Sequence, residues 1–109
     1  MSSISLTEAD KDRTIDVPQG SEVVIRLEET PTTGYVWALD QTDDKVLPLQ
    51  SSDFSPTPGA GVGAGGTRTF TFTAGQPGTA HLQLKLWREW QGDPSTIERY
   101  DVDIQVHGN

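Results

Sequence analysis

The segment AHLQLKLW at residues 80–87 decides the fold, because apolar and polar side chains alternate along almost all of it. Successive side chains of a β-strand point to opposite faces, so this pattern predicts a strand with one buried and one solvated face. The same alternation predicts strands at residues 23–28, 69–73 and 100–107. Weaker strand candidates lie at residues 4–7, 14–17, 35–40 and 46–54.

Short turns rich in proline and glycine separate the strands, such as PQG at residues 18–20 and GQPG at residues 75–78. The helical candidate at residues 40–46 is too short and polar to stand alone. About seven or eight strands in 109 residues predict an all-β fold, an immunoglobulin-like antiparallel β-sandwich, with a small barrel as the alternative. We expect one domain over residues 1–109, with an ordered core at about 4–107.

The composition excludes several classes of function. Sixteen acidic against eight basic side chains give a formal net charge of −8, which argues against nucleic acid or an anionic membrane as a partner. The chain has no cysteine, so we expect no disulfide, no thiol nucleophile and no zinc–thiolate site. We also expect no cofactor and no metal, and the acidic surface favours a monomer.

The sequence carries no membrane or export pattern. No apolar run approaches the roughly 20 residues that span a bilayer, and no secretory signal opens the sequence. We therefore expect a soluble protein, which is cytoplasmic if it stays where it is made and periplasmic or secreted if a signal was removed.

Three segments are too long or too unusual to be simple turns: residues 29–34, 57–66 and 88–97. If consecutive strands run antiparallel, the strands that precede these segments all arrive at the same end of the sandwich. We therefore expect three loops side by side, which is typical of a recognition surface on a rigid scaffold.

Each loop has an ordinary and a functional interpretation. TPTTG at residues 30–34 is either a plain connection or a shaped turn that presents threonine hydroxyls. GAGVGAGG at residues 59–66 is either a flexible linker or a thin backbone edge that approaches another surface closely. WREW at residues 87–90 has the residue types enriched in interface hot spots, although Trp87 could instead pack under a loop with Arg88 stacked on it.

In these loops the sequence resembles the chagasin-type protein inhibitors of papain-like cysteine peptidases. That family carries three motifs in order: Asn-Pro-Thr-Thr-Gly, Gly-X-Gly-Gly and Arg-Pro-Trp. The corresponding segments here are TPTTG at residues 30–34, GAGG at residues 63–66 and REW at residues 88–90. Each motif alone is weak, whereas three in order on an all-β chain of this length are fairly specific.

The resemblance implies a reversible, non-covalent inhibitor, not an enzyme, whose three loops fill the peptidase cleft as a wedge. The first loop would lie over the catalytic cysteine and histidine of the peptidase, the glycine-rich loop along the unprimed subsites, and the third loop on the other side. The peptidase-binding residues that it implies are Thr30, Pro31, Thr32, Thr33, Gly34, Gly63, Ala64, Gly65, Gly66, Arg88 and Trp90.

Two positions depart from the family pattern. Thr30 replaces the usual asparagine, which reduces any cap made by that amide to a hydroxyl. Glu89 replaces the proline of the third motif, which loosens the loop and adds a negative charge beside Trp90. We expect either change to weaken binding or to alter the preferred peptidases.

An enzyme and a metal-binding protein are weaker hypotheses. Neither His81 nor His107 lies in a loop beside a plausible nucleophile. The aspartates at positions 40, 43 and 44 lack the glycine and the spacing of a calcium loop.

A carbohydrate-binding or adhesion module is the stronger alternative. On such a module Trp37, Trp87 and Trp90 would form a platform on which sugars stack. An accessory domain that pairs with another subunit is a third hypothesis.

Overall fold

Alternating side chains produce eight strands in the part of the chain that the structure, a computed structural model, describes: residues 3–58 and 65–108. The strands are β1 (Ser3–Leu6), β2 (Thr14–Pro18), β3 (Glu22–Glu29), β4 (Val36–Gln41), β5 (Leu49–Pro56), β6 (Gly66–Thr73), β7 (Gly78–Trp87) and β8 (Glu98–His107). Short 3₁₀ helices lie at Glu8–Asp10, Pro31–Thr33, Glu89–Gln91 and Asp93–Ser95. The all-β prediction is confirmed, and the helical candidate at residues 40–46 is the end of β4 followed by a turn.

The strands form two sheets, ordered β1-β3-β6-β5 and β2-β8-β7-β4. Four of the strand pairs are antiparallel: β3 with β6, β6 with β5, β4 with β7, and β7 with β8. The predicted sandwich of about eight strands is confirmed, but antiparallel pairing does not hold throughout. β1 runs parallel to β3 and β2 runs parallel to β8, because β1, β2 and β3 alternate between the two sheets and reverse direction each time.

The inward faces of both sheets form one apolar core. Its largest fully buried side chains include Tyr100, Phe70, Phe72, Ile25, Leu27, Leu47, Leu82, Leu84 and Ile104. These side chains lie on the alternating positions of the strands or in the turn before β5, as expected for a sandwich with one wet face per sheet. No helix among the described residues is long and apolar enough to cross a membrane.

Two buried side chains with polar tips find partners at the edge of the core. The Trp37 indole N–H donates to the Glu28 carbonyl at 2.9 Å, and the Tyr100 hydroxyl donates to the Thr7 carbonyl at 2.8 Å. Burial raises the pKa of Tyr100 above its ordinary value. Both aromatic rings therefore fill the core without leaving an unsatisfied polar atom.

Candidate functional site

Three connections lie at the end of the sandwich toward which β3, β5 and β7 run. We call them loop 1 (residues 30–35, between β3 and β4), loop 2 (residues 57–65, between β5 and β6) and loop 3 (residues 88–97, between β7 and β8). The antiparallel pairs around β6 and β7 deliver them to this end, as the sequence predicts. Residues 59–64 of loop 2, with Gly63 and Ala64 of the predicted site, lie outside the described residues.

Loop 1 is a single 3₁₀ turn that its own backbone closes. The Thr33 N–H donates to the Thr30 carbonyl at 3.1 Å, and the Gly34 N–H donates to the Pro31 carbonyl at 2.9 Å. Gly34 ends the turn with a φ of 82°, a left-handed conformation that glycine adopts without steric cost. Pro31 and Thr32 are exposed at the tip of this turn.

The threonine that departs from the family pattern does not cap the turn. Thr30 is the N-cap residue, yet its side chain makes no capping hydrogen bond. The Thr33 hydroxyl donates to the Thr30 carbonyl at 2.7 Å and accepts the Tyr35 N–H at 3.3 Å. Loop 1 therefore closes without a cap from position 30.

A buried carboxylate anchors loop 1 from below. Glu29 ends β3, and its side chain is fully buried. Its carboxylate accepts hydrogen bonds from Nε and Nη2 of Arg68 at 3.2 and 2.8 Å and from the backbone N–H of Trp37 at 2.7 Å. Three donors, two of them charged, compensate the burial of this charge and fix the direction in which the chain enters loop 1.

Arg88 joins loop 3 to loop 1. Its Nε and Nη2 donate to the Thr33 carbonyl at 3.2 and 3.0 Å, and its guanidinium carbon lies 4.4 Å from the centre of the Tyr35 ring. The interpretation that Arg88 stacks on Trp87 is therefore wrong. Lys85 covers Trp87 instead, with Nζ 3.7 Å from the ring centre, and the Arg88 guanidinium is held against loop 1.

Trp90 presents a large apolar surface beside loop 1. Its side chain is 71% exposed, whereas Trp37 is buried in the core. The indole lies so close to Gly34 that a Cβ placed on that glycine would be 2.6 Å from Trp90 Cη2. Trp90 is thus exposed to solvent and still in contact with loop 1.

Loop 3 takes its shape from side chains. The Ser95 hydroxyl accepts the Arg88 N–H at 2.9 Å and lies 2.6 Å from the Gly92 carbonyl. Lys85 Nζ contacts a carboxylate oxygen of Asp93 at 2.5 Å, a hydrogen bond that raises the pKa of Lys85 and lowers the pKa of Asp93. Glu89 stands where the third family motif has proline. Loop 3 forms two 3₁₀ turns, at Glu89–Gln91 and Asp93–Ser95.

The described end of loop 2 meets loop 1. A Cβ placed on Gly65 would lie 3.1 Å from Thr30 Oγ1 and 3.3 Å from the Glu29 carbonyl oxygen, so a side chain there would crowd loop 1. Gly66 is buried in β6, where it pairs with Glu29 and Pro56, and a Cβ would collide with β5. Gly66 is therefore required by strand pairing, whatever it contributes to a partner.

The residues behind the weaker hypotheses lie elsewhere. His81 and His107 pair with aspartates on outer strand faces, with His81 Nδ1 2.5 Å from Asp103 and His107 Nε2 2.8 Å from Asp16. Among residues 3–58 and 65–108, no group of three or more acidic, histidine or cysteine side chains could hold a metal ion. The burial of Trp37 prevents the predicted three-tryptophan sugar platform.

The family model described as Chagasin family peptidase inhibitor I42 matches residues 16–104 of the chain. The crystal structure of the cysteine protease inhibitor EhICP2 from Entamoeba histolytica is similar, with a TM-score of 0.86 at 21% identity over 98% of this chain and 97% of that chain. The solution structure of amebosin has a TM-score of 0.83 at 25% identity, over 98% and 100% of the two chains. PbICP-C, solved in complex with falcipain-2, has a TM-score of 0.72 at 13% identity, over 98% and 100%. No curated protein matches the sequence.

Proposed function

Because the chain belongs to the chagasin family of peptidase inhibitors, we propose that it blocks the active-site cleft of papain-like cysteine peptidases reversibly with loops 1, 2 and 3. The family match confirms the predicted family and the predicted class, an inhibitor and not an enzyme. The similar protein EhICP2 is a cysteine protease inhibitor, and PbICP-C was solved in complex with falcipain-2, which supports this class of target. We propose that a single domain over residues 1–109 carries the function as a monomer.

The direct contact between loops 1 and 3 carries this proposal. Arg88 binds the Thr33 carbonyl and Trp90 lies against Gly34, so the two loops form one continuous rim. Loops that hold their shape before binding avoid much of the entropy loss that a flexible peptide undergoes when it becomes ordered on binding. A rim of this kind favours tight binding without a covalent bond.

The conformation of loop 1 explains how it would resist cleavage. Peptidases of this class hold a substrate as an extended strand, whereas residues Pro31–Thr33 are curled into a 3₁₀ turn. The Thr30 carbonyl already accepts hydrogen bonds from the Thr33 N–H and hydroxyl within the turn. We propose that Pro31 and Thr32 cover the catalytic residues, and that the turn withholds its peptide bonds from the geometry that attack requires.

The two motif residues of loop 3 take different roles in this proposal. Trp90 is outward and contacts the peptidase as a hot spot, since tryptophan is among the residues that dominate interface energetics. Arg88 points inward and positions loop 1 through Thr33 and Tyr35. Gly65 sets the close approach of loop 2 to loop 1, and the roles of Gly63, Ala64 and Gly66 are proposed from the family motif.

The test is an inhibition assay against papain and a cathepsin-L-like peptidase, with trypsin as the control enzyme. We expect nanomolar inhibition of the cysteine peptidases alone. Trp90→Ala should weaken it about 30-fold, the equivalent of about 2 kcal/mol, and Thr32→Ala should weaken it less. Thr79→Ala, an exposed threonine at the start of β7 on the far end of the sandwich, should change nothing.

The contradicting result is equally specific. A folded sample that leaves both cysteine peptidases active at micromolar concentration would overturn the proposal. Binding to polysaccharides that depends on Trp87 would then favour the carbohydrate-binding module.

A further inference from the structure

A groove beside loop 1 contains exposed residues that the proposed wedge does not use. It encloses about 500 Å³, with Thr30 and Thr33 of loop 1 on its rim. We call it the acidic groove, and its other lining residues include Glu8, Glu28, Tyr35, Leu86, Ile97 and Glu98.

The acidic groove carries negative charge that the fold does not neutralise. Glu8, Glu28 and Glu98 are exposed, and none of them forms an ion pair within the described ranges 3–58 and 65–108. The fourth carboxylate on the lining, Glu29, is matched by Arg68. Three carboxylates at one opening therefore favour a cation from outside the chain.

Arg88 contacts the groove lining but is held by the Thr33 carbonyl and the Tyr35 ring. Two further basic side chains close to the groove, Arg26 and Arg99, also have other partners. Arg26 lies in an adjoining pocket with Glu8 and Glu28, and its Nη1 donates to the Ser5 hydroxyl at 3.1 Å. Arg99 follows Glu98 along the chain but pairs with Asp40 at 3.0 Å on the neighbouring face of the sheet. Neither guanidinium forms an ion pair with the groove carboxylates.

The lining between the carboxylates is apolar. Ile97 is 60% exposed, and with Trp90 it makes up the pair of exposed large apolar side chains in the described part of the chain. Leu86 and the Tyr35 ring lie beside it and are half-buried. An apolar floor bordered by carboxylates fits a lysine or arginine side chain, whose aliphatic stem packs on apolar surface while its charged end meets the acids.

We propose that the acidic groove binds a lysine or arginine side chain from the rim of the peptidase cleft, and that it thereby selects among target peptidases. This inference rests on the proposed function, since a peptidase seated on loops 1 and 3 brings its rim to the groove. Thr30, Thr33 and Tyr35 belong both to loop 1 and to the lining, so the two surfaces are continuous. A basic occupant complements the three groove carboxylates and the formal net charge of −8 on the whole chain.

The first experiment compares two charge-matched double variants. Glu28→Gln/Glu98→Gln removes two of the three groove charges, whereas Glu22→Gln/Asp44→Asn removes two exposed charges at the far end of the sandwich that form no ion pair with residues 3–58 and 65–108. Association rates and inhibition constants are measured against papain and a cathepsin-L-like peptidase at 50 and 500 mM salt. Circular dichroism confirms that each variant is folded.

We expect the groove variant to inhibit a peptidase with a basic cleft rim about tenfold more weakly at 50 mM salt, mostly through slower association. The loss should shrink at 500 mM salt because ions screen the attraction. The far-end variant should stay within twofold of the wild type. Ile97→Ala should weaken inhibition to the same extent at both salt concentrations, because it removes apolar contact.

The second experiment identifies the occupant. Each lysine and arginine of the peptidase within about 10 Å of the cleft, the Debye length at 0.1 M salt, is replaced by glutamine one at a time. One replacement should weaken the wild-type inhibitor about tenfold and leave the groove variant unaffected, since both changes remove the same contact.

The outcomes separate this inference from the proposed function. Equal losses in the two double variants, or wild-type inhibition by the groove variant, would overturn the inference alone if Trp90→Ala still loses inhibition. A wild-type protein that fails to inhibit any cysteine peptidase would overturn both.

Discussion

Loops 1 and 3 lie side by side and touch, yet different kinds of interaction hold them. Loop 1 is closed by backbone hydrogen bonds and a left-handed glycine, above the buried carboxylate of Glu29. Loop 3 is longer, and its shape depends on the Ser95 hydroxyl and on the contact of Lys85 with a largely exposed Asp93. The difference teaches that two parts of one binding surface can depend on different forces.

This contrast has consequences for the stability of each loop. The anchor of loop 1 is part of the core, so its loss should destabilise the whole domain. The ion pair at loop 3 involves a carboxylate that is 72% exposed, so solvent and salt weaken it. Changes at the Glu29 anchor should therefore be felt globally and changes in loop 3 locally.

The largest expected effect comes from Glu29→Ala. This change leaves the mostly buried Arg68 guanidinium without its ion-pair partner and the backbone N–H of Trp37 without its acceptor. Together these losses should cost about 3 kcal/mol of unfolding free energy. Urea denaturation measures this cost. Glu28→Ala, one residue earlier and exposed, should cost less than about 0.5 kcal/mol, and equal urea midpoints for the two variants would contradict the anchor role.

Gly34→Ala should damage the contact between the loops. At a φ of 82° an alanine is strained by about 1–2 kcal/mol, and its Cβ would displace Trp90. Gly20→Ala is the matched control, because Gly20 has a φ of 89° and no atom within 4 Å of the added Cβ.

The two glycine variants should lose similar stability in thermal denaturation. Only Gly34→Ala should also weaken inhibition, by more than tenfold, since it alone moves a contact residue. Equal inhibition by both variants would show that the position of Trp90 does not matter.

Ser95→Ala should loosen loop 3 without unfolding the sandwich. The backbone N–H of Arg88 loses its acceptor, which should lower the free energy of local opening by about 1 kcal/mol. Amide hydrogen exchange at Arg88 should then be about fivefold faster, while exchange in β3 and β6 stays unchanged. Unchanged exchange at Arg88, or faster exchange in all strands, would contradict a local role. Ser52→Ala, on the exposed strand β5, serves as the control.

The smallest effect concerns pH. Lys85 lowers the pKa of Asp93 below 3.8, so the stabilising contact is fully formed above that value and is lost as the pH falls through the lowered pKa. Asp93 in turn raises the pKa of Lys85 above 10.5, so the contact is lost at the alkaline end only above that value. Loop 3 should therefore be unaffected between pH 5 and pH 9, by reference to the ordinary pKa values of the two groups.

Nuclear magnetic resonance titration of the Asp93 carboxyl checks this expectation. In the Lys85→Met variant the pKa of Asp93 should return toward its ordinary value. An Asp93 pKa that is the same in both proteins would rule out the contact in solution.

The sequence was sufficient to predict the three-loop surface. Alternation located the strands, and the reversal of direction at each connection placed the loops at one end. The same alternation also carried an unused indication of the anchor. Glu29 continues the inward face of β3 and Arg68 the inward face of β6, so opposite charges stand on the core side of neighbouring strands.

Other features could not be predicted from the alternation of apolar and polar residues. The edge strands β1 and β2 have four and five residues, and a short apolar pattern does not specify which strand it pairs with or in which direction. The stacking of Arg88 on Tyr35 joins two loops and depends on their paths, so it could not be assigned from the sequence. The contact of Lys85 with Trp87 could have been, because the two side chains share one face of β7 two residues apart. The peptidase-binding roles of the loop residues remain predictions.

The pairing of β2 with β8 has a consequence for how the chain folds. The Tyr100 hydroxyl binds the Thr7 carbonyl across 93 positions of sequence, and β2 has β8 as its partner in the sheet. During synthesis at about 5–20 residues per second, β2 waits roughly 5–20 seconds for β8. β1 can pair with β3 early, whereas β2 has no sheet partner until β8 forms, and until β2 docks, β8 presents a bare edge to which other unfolded chains can add.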